Sequence, residues 1–372
     1  SSSDVYINNR ACKWILENID AVFLWGDKQK ELISRVTKGN NNFYIVGSPK
    51  FDVCNLAMNF SQGNDKRKVS KILINTRFTS INVLDVSQSF RNLKKLGVLK
   101  TQKDIEWYNQ NIQNERKIFN EFLELIKLLS KIDGIKITIR PHPAENDKIY
   151  RDFSLSFSNV SVDKVTNLID QILEHDCVIH DGCTTAIEAA AVGKPVFGLR
   201  PEGAEGEGTD YANRYSVNFK SALTLCSYLK DNSICEFSKP DCNHIAKKSI
   251  YNWNNPNISS IYKMMDIMNA FDIKKQRIFS QNFINSFNAK EFLFNLVKIP
   301  IIRNILKIFN MKKLETFIIG RKGLHQKYPD LDISTVIDAI KSINNLDKST
   351  VLLKDIEIKR VSKKTILIFK KG

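Results

Sequence analysis

The sequence has little with which to staple itself together. Among its 372 residues are seven cysteines (Cys12, Cys54, Cys177, Cys183, Cys226, Cys235 and Cys242), odd in number, scattered, and with no CxxC pair. That pattern excludes a disulfide framework and a zinc-finger spacing. Free thiols in a chain of this size predict a reducing compartment, the cytoplasm. No run approaches the roughly 18 uninterrupted apolar residues that span a bilayer. Ser1 to Arg10 is too polar to hold the apolar core of a signal peptide. The chain opens on Ser-Ser-Ser-Asp rather than Met and is expected to be a fragment or a processed chain. Internal repeats and extended low-complexity tracts are also missing.

What is present is globular in texture, with 42% hydrophobic and 26% charged residues. The length suits one large or two ordinary domains. The net charge is +16 and uneven: from Phe271 to Gly372 there are 21 Lys plus Arg against 9 Asp plus Glu. A basic tail of this kind either seeks an anionic partner or is a solvated basic face, and the sequence leaves both readings open. Nucleic acid is not the expected partner, because no aromatics interleave the basic residues as stacking platforms and no reader motif occurs.

Short apolar runs alternate with amphipathic stretches. Ala21–Trp25, Phe43–Val46, Lys71–Asn75, Ile135–Ile139, Val160–Val162, Cys177–Ile179 and Pro195–Leu199 read as strands. Between them, Glu115–Lys131, Leu168–Glu174 and Thr184–Val192 read as helices. The polar SQGNDKRK run at 61–68 reads as a linker. This alternation predicts an α/β fold with parallel sheets covered on both faces. Beyond Ile267 the texture turns Ile/Phe/Asn/Lys-rich. Within it, 298–313 forms a basic amphipathic pattern, with Ile301, Ile302, Ile305, Leu306 and Phe309 on one face, flanked by Arg303, Lys307, Lys312 and Lys313. Pro300 suits the first turn of such a helix. The helix either lies on an anionic membrane surface or packs back on the α/β domains.

Ligands of parallel sheets sit at the carboxyl ends of the strands. Three loops there are rich in chemistry: Asn75-Thr76-Arg77-Phe78, Arg140-Pro141-His142-Pro143 and His180-Asp-Gly-Cys-Thr-Thr185. Gly182 makes a small-residue turn, and the helix starting at Thr184 or Thr185 offers N–H groups and hydroxyls to a phosphate. Glu188, one turn on, points away from phosphates and suits a ribose diol. Two prolines hold His142 in place, and Arg140 and His142 can both donate to phosphate oxygens. Asn75 and Thr76 join the same set, as does Asp181, which either touches the sugar or caps the helix. His142 and Asp181 are the candidate catalytic groups. No DxD element stands where a metal-dependent transferase would want one, and neither metal nor cofactor is expected. A Gly-rich loop with Glu202, Glu205 and Glu207 either closes over the donor or is plain surface.

RPHP followed by D-G-x-[ST]-[ST]-x-x-E-A-x-x-x-G-K-P resembles a group of GT-B enzymes of bacterial surface polymers, which are built on two Rossmann-like domains. The group includes polysialyltransferases, capsular Kdo transferases and teichoic-acid glycerophosphotransferases. These enzymes use cytidine-nucleotide donors. The resemblance implies that His142, Thr184 and Thr185 contact donor phosphates and that Glu188 binds ribose. Asp20–Gly26, Val46–Asp52 and Ile72–Phe78 are similar to the surface carbohydrate biosynthesis proteins, whose members resemble transferases of nonulosonic acids or Kdo. The likeness covers roughly 10–265. It implies that 1–60 is the end of a truncated N-terminal acceptor-side domain and that 61–266 is the donor nucleotide-binding domain. Residues 267–372 are then a basic, mostly helical extension.

The expected function is transfer of a CMP-activated nonulosonic acid or Kdo from its nucleotide to a glycan or lipid-linked acceptor. The expected location is the cytoplasm, at the inner face of its membrane. Alternatives are a glycerophosphotransferase, a nucleotide-sugar 2-epimerase or a non-catalytic nucleotide-binding remnant. Gly47–Asp52 also resembles non-hydrolysing UDP-GlcNAc 2-epimerases, but Asn75-Thr-Arg-Phe-Thr79 stands where those enzymes carry H-R-R-E-N.

Overall fold

The alternating pattern folds largely as it reads. The computed structural model describes residues 19–37, 42–58, 68–83, 101–204 and 210–270, a few isolated positions between them and near 335, and the backbone of 356–362 and 365–370. The chain divides into two units, Ser1–Asp272 and Ile273–Gly372. The first unit opens with strand β1 (Val22–Leu24), helix α1 (Asp27–Ser34), β2 (Phe43–Ile45) and α2 (Pro49–Met58). There follow β3 (Lys71–Asn75), α3 (Gln102–Ser130), β4 (Lys136–Arg140), α4 (Lys148–Ser156), β5 (Val160–Val162), α5 (Leu168–Glu174) and β6 (Cys177–His180). It continues with α6 (Thr185–Ala191), β7 (Val196–Leu199), α7 (Asp210–Asn213), β8 (Val217–Phe219), α8 (Ala222–Asp231), α9 (Cys242–Ala246) and α10 (Ser260–Ala270).

Six strands form one sheet in the order β5-β4-β3-β6-β7-β8, every pairing parallel. The central strands β6 and β7 are buried at every position, and β3 at all but Lys71. Such continuous apolar runs mark strands covered on both faces. Side chains alternate between the faces. Ile72, Ile74, Ile137, Ile139, Cys177, Ile179, Phe197 and Leu199 pack with Ile118, Phe122, Leu125 and Leu129 of α3. On the other face Leu73, Val178 and Val196 pack with α2, α5 and α6 through Phe51, Cys54, Ile172, Ala186 and Ala189. Strand order reverses direction between β3 and β6, so the crevice for a ligand opens at their carboxyl ends.

Helix α3 begins well before Glu115, where its apolar periodicity becomes clear. Thr101 and Asp104 form a reciprocal capping box that starts it at Gln102. The capped first turns are mostly polar, which hid them from an apolar periodicity.

The Gly47–Asp52 motif ties the front of the chain to its later part. Gly47 sits at φ +86°, and a Cβ there would lie 2.3 Å from Asn252 Oδ1. The buried Asn252 accepts from the Ser48 N–H at 3.0 Å and donates to the Ser48 carbonyl at 2.9 Å. Asp52 accepts from the backbone N–H of Ser260 (3.0 Å) and Ile261 (3.1 Å), so it caps α10 from outside that helix. Phe51 meets the Trp25 ring edge to face at 5.8 Å and the Trp253 ring in a tilted contact at 5.7 Å. Residues on both sides of the 61–68 stretch therefore share one core, with α2 packed against α5 and α6.

In the second unit an antiparallel hairpin, β9 (Ile356–Ser362) with β10 (Thr365–Lys370), closes the chain. It adds strands to a region whose texture reads as mostly helical. The reason is local, since Thr365-Ile-Leu-Ile-Phe369 is rich in β-branched and aromatic residues. The amphipathic stretch 298–313 lies outside the described residues. No helix among the described residues is long and apolar enough to cross a membrane.

Candidate functional site

Registers place the three loops on one level. Asn75 pairs with Arg140 on one side and His180 on the other, and His180 pairs with Gly198. Neighbouring strands lie about 4.8 Å apart, so the loops leaving β4, β3, β6 and β7 span on the order of 15 Å.

The loop after β4 is held by a residue that the sequence pattern did not single out. Glu145 is buried, and its carboxylate accepts four hydrogen bonds. They come from the His142 N–H (2.9 Å), Thr76 Oγ1 (2.9 Å), Asn82 Nδ2 (3.3 Å) and Tyr150 Oη (2.7 Å). Burial holds its carboxyl above the ordinary range, against the pull of those donors. The Ala144 N–H donates to His142 Nδ1 at 3.2 Å. An accepting Nδ1 leaves the proton of a neutral imidazole on Nε2, which makes that atom a donor. Thr76 and His142 are also joined through the backbone at 3.1 Å. The spacing His142-x-x-Glu145 was the one available signal, since it is that of a capping carboxylate.

Arg140 does not lie free at the strand end. Its Nη1 donates to the Thr166 carbonyl (2.6 Å) and Gln171 Oε1 (2.7 Å), so part of the guanidinium braces the loop before α5. Burial lowers its pKa, opposed by the fields of Asp163, Glu188 and Cys183.

The turn after β6 is built differently. His180 is fully buried; it accepts from the Cys183 N–H at 3.2 Å and meets Ser216 Oγ at 2.5 Å. Burial, then Arg200 and Arg77, push its pKa down to about 3, so it stays neutral at pH 7. Gly182 sits at φ +58°, a left-handed turn that a side chain would strain. Thr184 is exposed at the start of α6 and makes no capping bond with its own side chain. Thr185 is buried, and its Oγ1 accepts from Asn75 Nδ2 at 3.0 Å. Glu188 is buried and paired with Lys50 Nζ at 2.8 Å, an ion pair that joins the Gly47–Asp52 motif to α6.

Asp181 is only 4% exposed, and its Oδ1 has no hydrogen-bond partner. Burial raises its carboxyl above the ordinary range, and Arg77 and Arg200 draw it back. Helix capping is therefore not its role in this structure. Arg77 Nε and Asn75 Oδ1, on the neighbouring strand, are likewise buried without a partner. Arg77, Arg200, Glu145 and Lys50 are thus the residues added by the structure. For Arg77, Arg200 and Lys50 the signal was position alone, one or two residues beyond a strand or inside a motif.

No protein-family profile matches this sequence. No curated protein matches it either. Solved structures do. The wall teichoic acid polymerase TagF is similar at 13% identity and a TM-score of 0.38, over 70% of this chain and 60% of that one. The UDP-GlcNAc 2-epimerase of Methanocaldococcus jannaschii, solved with UDP-GlcNAc and UDP, is similar at 13% identity and a TM-score of 0.38, over 67% and 61%. That of Neisseria meningitidis, bound to UDP-GlcNAc, gives 14% and 0.36 over the same shares. This chain spans less than two thirds of each of them.

Among the described residues no cluster of three or more His, Cys, Asp or Glu could hold a metal ion. The six cysteines among the described residues are free thiols. A cavity of about 190 Å³ lined by Lys194, Tyr215, Lys239 and Cys242 lies at the opposite, amino end of β7. Glu205 and Glu207 lie outside the described residues, and Glu202 is exposed.

Proposed function

We propose that the chain is the donor-binding part of a GT-B glycosyltransferase of bacterial surface-polysaccharide synthesis, using a CMP-activated nonulosonic acid or Kdo. One observation carries this reading. Asn75, Arg140 and His180 are in register at the switch point of a doubly wound sheet, which aligns the three chemically rich loops around one crevice. There His142 Nε2–H and the start of α6 at Thr184 and Thr185 donate to the nucleotide phosphate. Donors held in place before the reaction stabilise the negative charge that grows on that phosphate as the glycosidic bond breaks. Glu188, already placed by Lys50, accepts from the ribose. Residues 1–60 supply the edge of the acceptor-side domain, and 61–266 the donor domain. The acceptor is a glycan or lipid-linked saccharide, and 298–313 rests on the anionic membrane surface that presents it. Vesicle co-sedimentation that rises with anionic lipid and falls with salt is the expected result for that stretch.

Calorimetric titration of the full chain with CMP, CDP, UMP and UDP tests the donor. CMP is expected to bind more tightly than UDP; equal or tighter binding of UDP would sink the cytidine assignment. His142→Ala and Glu188→Ala are each expected to weaken CMP binding by about 1–3 kcal/mol, the worth of a hydrogen bond to a charged group. Wild-type binding by both variants would remove these residues from the site.

A further inference from the structure

Lys50 is both open to solvent and held in place. Its side chain is 58% exposed and that of its partner Glu188 is 8% exposed, with Nζ and Oε1 2.8 Å apart. The ammonium therefore lies over the carboxylate, and a molecule that approaches Glu188 from solvent meets Lys50 first. The backbone that carries it is fixed. Lys50 stands in the first turn of α2, between Ser48 and Asp52. Asn252 exchanges two hydrogen bonds with the Ser48 backbone and donates a third to Asp52 Oδ1. Asp52 in turn holds the backbone N–H groups of Ser260 and Ile261. The bond to Glu188 uses one of the three ammonium N–H groups.

The pair lies next to the phosphate donors of the proposed site. Glu188 is four residues from Thr184, about 6 Å along the axis of α6. Helical side chains lean toward the amino end, which carries the pair toward Thr184. Arg140, on the His142 loop, also feels the field of Glu188. A bare carboxylate in that place would repel a nucleotide phosphate. The ammonium seated on it presents the opposite sign.

We propose that Lys50 is the cation that meets the phosphate of the nucleotide donor, with Glu188 holding it at the required place. This rests on the donor reading above and deepens it, because it draws a residue of the 1–60 segment, expected on the acceptor side, into the donor site. The ammonium keeps one N–H on Glu188 and turns the others to phosphate oxygens, as a compact cation with rotatable donors can. The other carboxylate oxygen of Glu188 serves the ribose. Lys50 thus reads the phosphate and not the nucleoside.

Calorimetric titration of the full chain with CMP and with cytidine, over a range of salt, tests this. The wild type is expected to bind CMP at least about tenfold more tightly than cytidine, and to lose CMP affinity as salt rises. Lys50→Gln, and Lys50→Met as a second uncharged variant, are expected to weaken CMP about tenfold and to leave cytidine within about twofold. Both should also flatten the salt dependence of CMP binding. Thermal melts separate a lost contact from a lost fold. Equal losses for CMP and cytidine would make Lys50 a positioner of Glu188 alone and overturn the phosphate contact. CMP affinity and salt dependence unchanged in both folded variants would overturn it as well. In either case a loss of CMP binding in His142→Ala leaves the donor reading standing. A wild type that binds no cytidine nucleotide overturns the donor reading and this inference together.

Discussion

The loops after β4 and β6 sit on one level of the same sheet and are built on opposite principles. After β4, the buried carboxylate of Glu145 accepts from His142, Thr76, Asn82 and Tyr150. After β6, the buried carboxyl of Asp181 has an oxygen with no partner. Both groups are desolvated, and burial raises both pKa values. The difference lies in what answers the desolvation. Four donors make Glu145 a strut that fixes the His142 backbone. Asp181 is answered only by the more distant fields of Arg77 and Arg200, which leaves bonding capacity for something that arrives from outside. A satisfied buried network specifies shape, and an unsatisfied one stores a preference for a ligand.

The largest expected effect comes from breaking the satisfied side. Glu145→Ala strands the hydroxyl donors of Thr76 and Tyr150 in a dry site, while the His142 N–H keeps the Thr76 carbonyl. Each buried donor left without an acceptor costs about 1–3 kcal/mol. Urea unfolding should show a midpoint lowered accordingly, and a loss below about 1 kcal/mol would mean that water replaces the carboxylate and the contrast is false.

Acting on the unsatisfied side should do the reverse. Asp181→Asn removes a buried carboxyl whose charged form has no bonded partner, and is expected to stabilise the ligand-free chain by about 1 kcal/mol at pH 7. The sign follows from proton binding. The folded carboxyl titrates above its ordinary 3.8. Below that pH the carboxyl is protonated whether folded or unfolded, so wild type and variant should differ least there. As pH rises through the folded value the unfolded state sheds its proton first, and wild-type stability falls relative to the variant. Melting temperatures of the pair from pH 4 to pH 8 check this, and a gap that narrows with rising pH would contradict it.

The smallest effect belongs to a contact that belongs to neither loop. Lys50 is 58% exposed although its partner Glu188 is buried. Lys50→Ala is expected to cost about 1 kcal/mol or less, since solvent screens the lysine and can reach its partner in its absence. In the proposed site the same change should alter nucleotide binding more than stability, by freeing Glu188 from its fixed position. Equal changes in both would make the pair a structural clamp only.

Most of the sheet was legible because its signal is local. Lys71–Asn75, Cys177–Ile179 and Pro195–Leu199 carry short apolar runs bounded by turn residues, and buried parallel strands need nothing more. The loops at their carboxyl ends followed from the general rule for such sheets. The polar start of α3 was not legible from periodicity, because no apolar stripe marks it and a capping box at Thr101 and Asp104 does. Nor was the destination of Gly47–Asp52. That six-residue run meets Asn252, Ser260 and Glu188, partners 138 to 208 residues distant.

By itself the sequence determined the class of fold, the order of its strands along the chain and the residue types at each strand end. Only the tertiary structure decided which of those residues are already spent. Arg140 donates to Gln171, and Asn75 donates to Thr185. Asp181 keeps an oxygen unanswered. The physical reason is that apolar periodicity is a property of neighbours along the chain. Hydrogen-bond satisfaction is a property of neighbours in space, and no spacing rule reports whether a buried carboxyl will find its donor.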